Sequence, residues 1–117
     1  MKRRVEEYVR EDGGNPYQKW FNGLDAQAAA KVTVAKARLE LGNTSNLEWF
    51  RGIGEYKIDW GPGYRIYLAK AGDALIILFG DSTKKDQQKA IDQAVALHDE
   101  YKARKKALGS NKKGKTR

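Results

Sequence analysis

The sequence predicts a small α+β domain with this order of elements: an N-terminal strand, two helices, a three-stranded antiparallel meander, and a C-terminal helix packed on one sheet face. Three observations lead there. The stretch GEYKIDWGPGYRIYLAKAGDALIILFG, Gly54 to Gly80, holds three runs of strand character separated by Gly61-Pro62-Gly63 and Lys70-Ala71-Gly72-Asp73. Glycine and proline supply the backbone angles that tight turns need. On either side of it, apolar residues recur at spacings of four, three and four, the period of a helix with one buried stripe.

In chain order, Val5 to Val9 reads as a short strand ended by Glu11-Asp12-Gly13-Gly14, with Tyr8 on the face opposite Val5 and Val9. Asn15-Pro16 then opens a short helix. Asn15 suits the N-cap, Pro16 the first helical position, and Gln18 the third position of a capping box, while Gly23 closes it. Asp25 caps a second helix running to about Leu41, whose stripe Ala30, Val34, Ala37 and Leu41 is expected to be buried. Lys31, Lys36 and Arg38 fall off that stripe and form a solvated face. Gly42 is the expected C-cap. Residues 43 to 53 read as a loop whose Leu47, Trp49 and Phe50 fold back on the core.

Within the meander, alternation puts Tyr56, Ile58 and Trp60 on one face of the first strand and Lys57 and Asp59 on the other. In the second strand Tyr64, Ile66 and Leu68 oppose Arg65 and Tyr67. The third strand, Ala74 to Phe79, is apolar throughout, as befits a central strand covered on both faces. Gly80-Asp81-Ser82-Thr83 leads into the last helix, Lys84 to Lys106, with Ala90, Ala94, Leu97 and Tyr101 inward. Helices against a single sheet face complete the expected architecture.

The net charge is +8, yet residues 102 to 117 hold eight basic and no acidic side chains, and the other 101 residues hold 15 of each sign. The high pI thus belongs to the tail, and residues 107 to 117 are expected to be a disordered basic extension of a domain spanning 1 to 106. That tail either adds affinity for ribosomal RNA by counterion release or is an inert extension. No cysteine is present, which excludes disulfides and thiolate metal sites. No apolar run approaches the ~20 residues of a membrane span. The start, Met1-Lys2-Arg3-Arg4 followed by Val5-Glu6-Glu7, lacks the apolar core of a signal peptide, so a cytoplasmic location is expected.

His98 is the only histidine, so a two-histidine acid–base pair is excluded, and it is expected to be structural. No metal-ligand spacing, activated nucleophile or phosphate-binding fingerprint is present. What remains is cationic. Lys57 and Arg65 point to one side from adjacent strands, with Tyr67 beside them. Lys84 and Lys85 open the last helix, where the dipole disfavours cations unless an anion binds; otherwise both are simply solvated. Such a face can hold single-stranded RNA, with phosphates on the cations and bases on tyrosine.

The segments VEEYVREDGGNPYQKWFNGLDAQAAAKV, GIGEYKIDWGPGYRIYL and STKKDQQKAIDQA resemble the HigB-like "addiction module killer" branch of the RelE/ParE toxin superfamily, from about Val5 to Lys106. The segment IDWGPGYRIYL carries most of the resemblance, followed by the lysine pair and glutamines that open the last helix. The resemblance implies the toxin of a type II toxin–antitoxin module. It implies an enzyme that cuts mRNA on the ribosome without metal or cofactor, using the ribose 2′-OH as nucleophile. Its implied partners are mRNA, the ribosome and a cognate helix-turn-helix antitoxin, with operator DNA reached only through the antitoxin complex. By the same resemblance Arg65 matches the arginine at the scissile phosphate, Lys57 a basic position on the preceding strand, and Lys84 and Lys85 the branch's lysine pair. Arg65, Lys57 and Lys85 are then the catalytic candidates, and Lys84, Tyr67, Asp59 and Tyr64 the RNA-contacting ones. Asp59 has two further readings, an alternative base or an exposed cross-strand partner of Arg65 or Lys57. The chain departs from the pattern at Asp86, where related sequences carry arginine, and at Ala90, where they carry aspartate. A ParE-like inhibitor of gyrase without nuclease activity, or a non-toxic remnant that only binds its antitoxin, shares the same fold and stands as the alternative.

Overall fold

Five strands and three helices follow one another as β1 (Val5–Glu7), α1 (Pro16–Asn22), α2 (Ala26–Glu40), β2 (Leu47–Phe50), β3 (Ile53–Ile58), β4 (Tyr64–Ala71), β5 (Ala74–Asp81) and α3 (Gln87–Lys115). This computed structural model describes residues 4–81 and 87–115, with 109–115 as backbone only. The sheet order is β1-β5-β4-β3-β2. β1 runs parallel to β5, and the other neighbours are antiparallel. The α+β class agrees with the sequence reading, whereas the expected three-stranded meander is instead a run of four consecutive antiparallel strands, β2 to β5. The sheet is wider than expected, because β1 joins it beside β5 and β2 adds a strand at the far edge.

Local chemistry explains most of the boundaries. The Asn15 side chain accepts from the Gln18 amide at 3.0 Å, and Asp25 accepts from the Ala28 amide at 2.8 Å, each satisfying a helix-end N–H. Gly42, at φ +90°, ends α2: its N–H donates to Leu39 O, and the Asn43 N–H reaches back to Arg38 O. That is the paired bonding of a glycine-terminated helix end. The β4–β5 turn puts Gly72 first, at φ +64°, between the paired Ala71 and Ala74.

The strand missed from sequence, β2, is joined to β3 by Arg51-Gly52, both at positive φ. Two-residue hairpin turns of that kind favour Asn-Gly or Asp-Gly, and arginine gives no such signal. Arg51 is tied in place from outside the hairpin, its Nη1 lying 2.9 Å from Asp92 on α3.

The helices cover both sheet faces, which corrects the expectation of a single covered face. Tyr17, Val32, Ala35 and Leu39 of α1 and α2 pack on Tyr56, Ile66, Leu68, Leu75 and Ile77. Ala90, Ala94 and Leu97 of α3 pack on Ile53, Tyr67, Ala69, Ile76 and Leu78 from the other side, with Tyr101 against them. The α3 stripe is the one expected. The α2 stripe is not: Ala28, Val32, Ala35 and Leu39 are buried, while Val34 is 48% and Leu41 63% exposed. Both sets have four-three-four spacing on opposite sides of one helix, so periodicity alone cannot choose between them. Contact with the sheet does.

Two further boundaries shift. β1 stops at Glu7, leaving Tyr8 buried and Val9 exposed. Tyr8 donates to Glu100 at 2.6 Å, and Arg10 grips the same carboxylate through Nε and Nη2. At the other end α3 continues to Lys115.

Candidate functional site

The β3–β4 register pairs Lys57 with Arg65 and Glu55 with Tyr67, and the β4–β5 register pairs Arg65 with Asp81 and Tyr67 with Phe79. All six therefore stand on the face that α3 covers. Asp81 reaches that face through an irregularity. Between Tyr67 and Leu68 the β5 register jumps from Phe79 to Ile77, leaving Leu78 as an extra residue. The bulge inverts the alternation beyond it. Without it, Asp81 would lie with Leu75 and Ile77 on the α1/α2 side, and Gly80 would not sit beneath the Trp20 ring, where a Cβ would collide.

Arg65 is only 6% exposed and Glu55 3%. Arg65 Nε lies 3.6 Å from Glu55 Oε2, and its Nη1 lies 3.9 Å from Asp81 Oδ2. These are ion-pair distances, longer than good hydrogen bonds. Gln87, the first residue of α3, donates from Nε2 to Glu55 Oε2 at 3.1 Å. Among the described residues, Arg65 Nε and Nη1 have no hydrogen-bond partner. A buried donor in that condition costs about 1–3 kcal/mol, so an acceptor reaching Arg65 would be stabilised. Burial, with Glu55 and Asp81 nearby, raises the Tyr67 pKa strongly and keeps its phenol neutral.

The proposed residues are not brought together evenly. Lys57 and Arg65 share a face and adjoin, as expected, but Lys57 is half-exposed and pairs with Glu48 on β2 at 3.4 Å. Tyr67 is wholly buried among Ile53 and Ala69, so it is a core residue and has no face for a base. Tyr64 is buried on the opposite face, between Trp20 and Trp60. Asp59 lies beyond the end of β3 in the turn, lines a cleft on the α2 side, and pairs with neither Lys57 nor Arg65 among the described residues. Lys84 and Lys85, with Asp86, fall outside the described residues. Lys89, in the first turn of α3, lines a depression with Phe79, Asp81 and Gln93.

Glu55 and Asp81 were not singled out from sequence. Glu55 was accessible to the alternation rule, being two residues before Lys57. Asp81 was not, because only the bulge turns it toward Arg65. His98 is half-buried beside Gly52, and burial followed by Lys102 lowers its pKa, with Asp99 opposing. Among the described residues, no group of three or more His, Cys, Asp or Glu could hold a metal ion, and no helix is long and apolar enough to cross a membrane.

Over 86 residues the chain is 36% identical to an uncharacterized protein of Haemophilus influenzae, an alignment covering 72% of this chain and 87% of that protein. The chain belongs to that protein's family. No family profile matches it, and no solved structure does. A common fold is therefore shared with the H. influenzae member, whose description adds nothing about activity.

Proposed function

We propose that this chain is the toxin of a type II toxin–antitoxin module, a HigB-like member of the RelE/ParE superfamily, acting in the cytoplasm as a metal-independent mRNA endoribonuclease on the ribosome. The observation that supports this reading is Arg65: a guanidinium with two donors that find no hydrogen bond among the described residues, directly across the ladder from Lys57. The ribose 2′-oxygen attacks the adjacent phosphorus, the bond to the 5′-oxygen breaks, and a 2′,3′-cyclic phosphate and a 5′-hydroxyl result. Negative charge grows on the non-bridging oxygens, where a guanidinium fork stabilises it best. Lys57 or Lys85 takes the 2′-OH proton, which returns to the leaving oxygen. Phosphate must compete with Glu55 and Asp81 for Arg65, so RNA entry loosens the present ion pairs. Asp81 and Gln87 flank the segment carrying Lys84 and Lys85, and both reach this cluster. A helix-turn-helix antitoxin neutralises the toxin and carries it to operator DNA.

A second reading, a ParE-like gyrase inhibitor or an antitoxin-binding remnant, draws support from the burial of Arg65 between two carboxylates. Primer extension on mRNA from cells expressing the chain without antitoxin separates the two. Cleavage in phase with codons, lost in Arg65→Ala, is the expected result. Intact mRNA with an SOS response would establish the gyrase reading instead, and equal growth arrest from wild type and Arg65→Ala would remove Arg65 from the mechanism.

A further inference from the structure

The exposed side of α2 turns Lys31 and Arg38 toward the end of β3. Across from them stand Tyr56, Lys57, Asp59 and Trp60, and the two walls enclose a cleft of about 330 Å³. Its position differs from that of the Arg65 cluster, which lies beneath α3; Lys57, at the sheet margin, is shared. Three cations and one carboxylate give the lining a positive balance. Among the described residues, Lys31, Arg38 and Asp59 have no oppositely charged side chain within ion-pair distance, so two of the three cations are not neutralised locally.

The cleft also has an aromatic floor. Trp60 is held by its own N–H donating to Ile58 O and by Gly63 N–H donating to its carbonyl, both at 3.0 Å. Tyr64 stacks on the indole, centroids 6.0 Å apart and planes 22° apart, and the Lys31 ammonium lies 5.8 Å from the ring centroid. A braced indole beside cations spaced along a groove is what sequence-tolerant binding of a single strand requires. A base can take the place of the Lys31 ammonium on the ring while that ammonium moves to a phosphate. An acidic polypeptide would use the cations and leave the indole idle.

We infer that this cleft binds single-stranded RNA, with Lys31 and Arg38 on the backbone and Trp60 beneath a base. The inference rests on the proposed function in supplying the same substrate with a second hold. It is tested by fluorescence anisotropy of a short 5′-labelled oligouridylate against the full chain over a salt series. Lys31→Gln/Arg38→Gln, at two exposed positions, weakens binding by roughly tenfold or more and lowers the log–log salt slope by about 1.4, near 0.7 for each phosphate contact. Trp60→Leu weakens it by roughly 5- to 150-fold with the slope unchanged. No binding by wild type at low salt, or unchanged affinity in the double variant, would overturn the assignment. So would a silent Trp60→Leu combined with displacement by poly-L-glutamate as effective as by unlabelled RNA, which marks the cleft as a surface for acidic protein. Loss of binding in the double variant alongside uncut mRNA in cells would instead sink the ribonuclease and leave the cleft standing.

Discussion

Arg65 Nε faces Glu55 Oε2 at 3.6 Å across the β3–β4 ladder, with both side chains more than nine-tenths buried. Taking two such charges from water is costly, and each compensates the other's desolvation. Removing one partner should therefore hurt more than removing both. Arg65→Ala is expected to cost about 3–5 kcal/mol, and Arg65→Met with Glu55→Gln clearly less than the sum of the single changes. A double-mutant cycle in urea measures the difference. Additive losses would show that the pair is not coupled.

Gly80 lies beneath the Trp20 ring, and a methyl group there would occupy the ring's space. Gly80→Ala should force α1 away from β5 and cost about 1–3 kcal/mol. On a Trp20→Leu background the same change should be nearly silent. Thermal melts of the four proteins test this, and an unchanged penalty without Trp20 would point to backbone strain instead.

The two apolar stripes of α2 give a direct contrast. Leu39 is fully buried, so Leu39→Ala should cost about 2–5 kcal/mol. Leu41 is 63% exposed, and Leu41→Ala should change stability by less than about 0.5 kcal/mol. Similar effects at both positions would mean that α2 packs through the other stripe.

His98 makes stability depend on pH. Its pKa in the fold lies below the ordinary 6.5, from burial first and Lys102 second. The unfolded chain therefore takes up a proton before the folded one does. Its contribution is fully present above pH 6.5 and is lost progressively as pH falls from there through the folded value, with a slope of at most about 1.4 kcal/mol per pH unit. His98→Gln should flatten this part of the profile. A parallel pH dependence in variant and wild type would assign the effect to other groups.

Signals that depend on near neighbours were legible throughout. Asn15, Asp25 and Gly42 set helix ends by bonding groups only a few residues away, and the strands on either side of Gly61-Pro62-Gly63 and Gly72 pair as their turns require. The pairing of Lys57 with Arg65 followed from strand alternation across a short hairpin. Where one helix offered two equal stripes, or where Arg51 stood in a turn that favours asparagine, the chain contained no local preference strong enough to decide.

Composition and short-range order thus settle the ends of α1 and α2, the β3–β4 and β4–β5 hairpins and the placing of Lys57 beside Arg65. The counter-ions of Arg65 were settled elsewhere. Asp81 faces it because one extra residue at Leu78 reverses the side-chain alternation of β5, and Tyr67 is withdrawn from solvent because α3 lies over it. Both outcomes depend on contacts between segments far apart in the chain, and strand register and helix docking exist only once those segments meet.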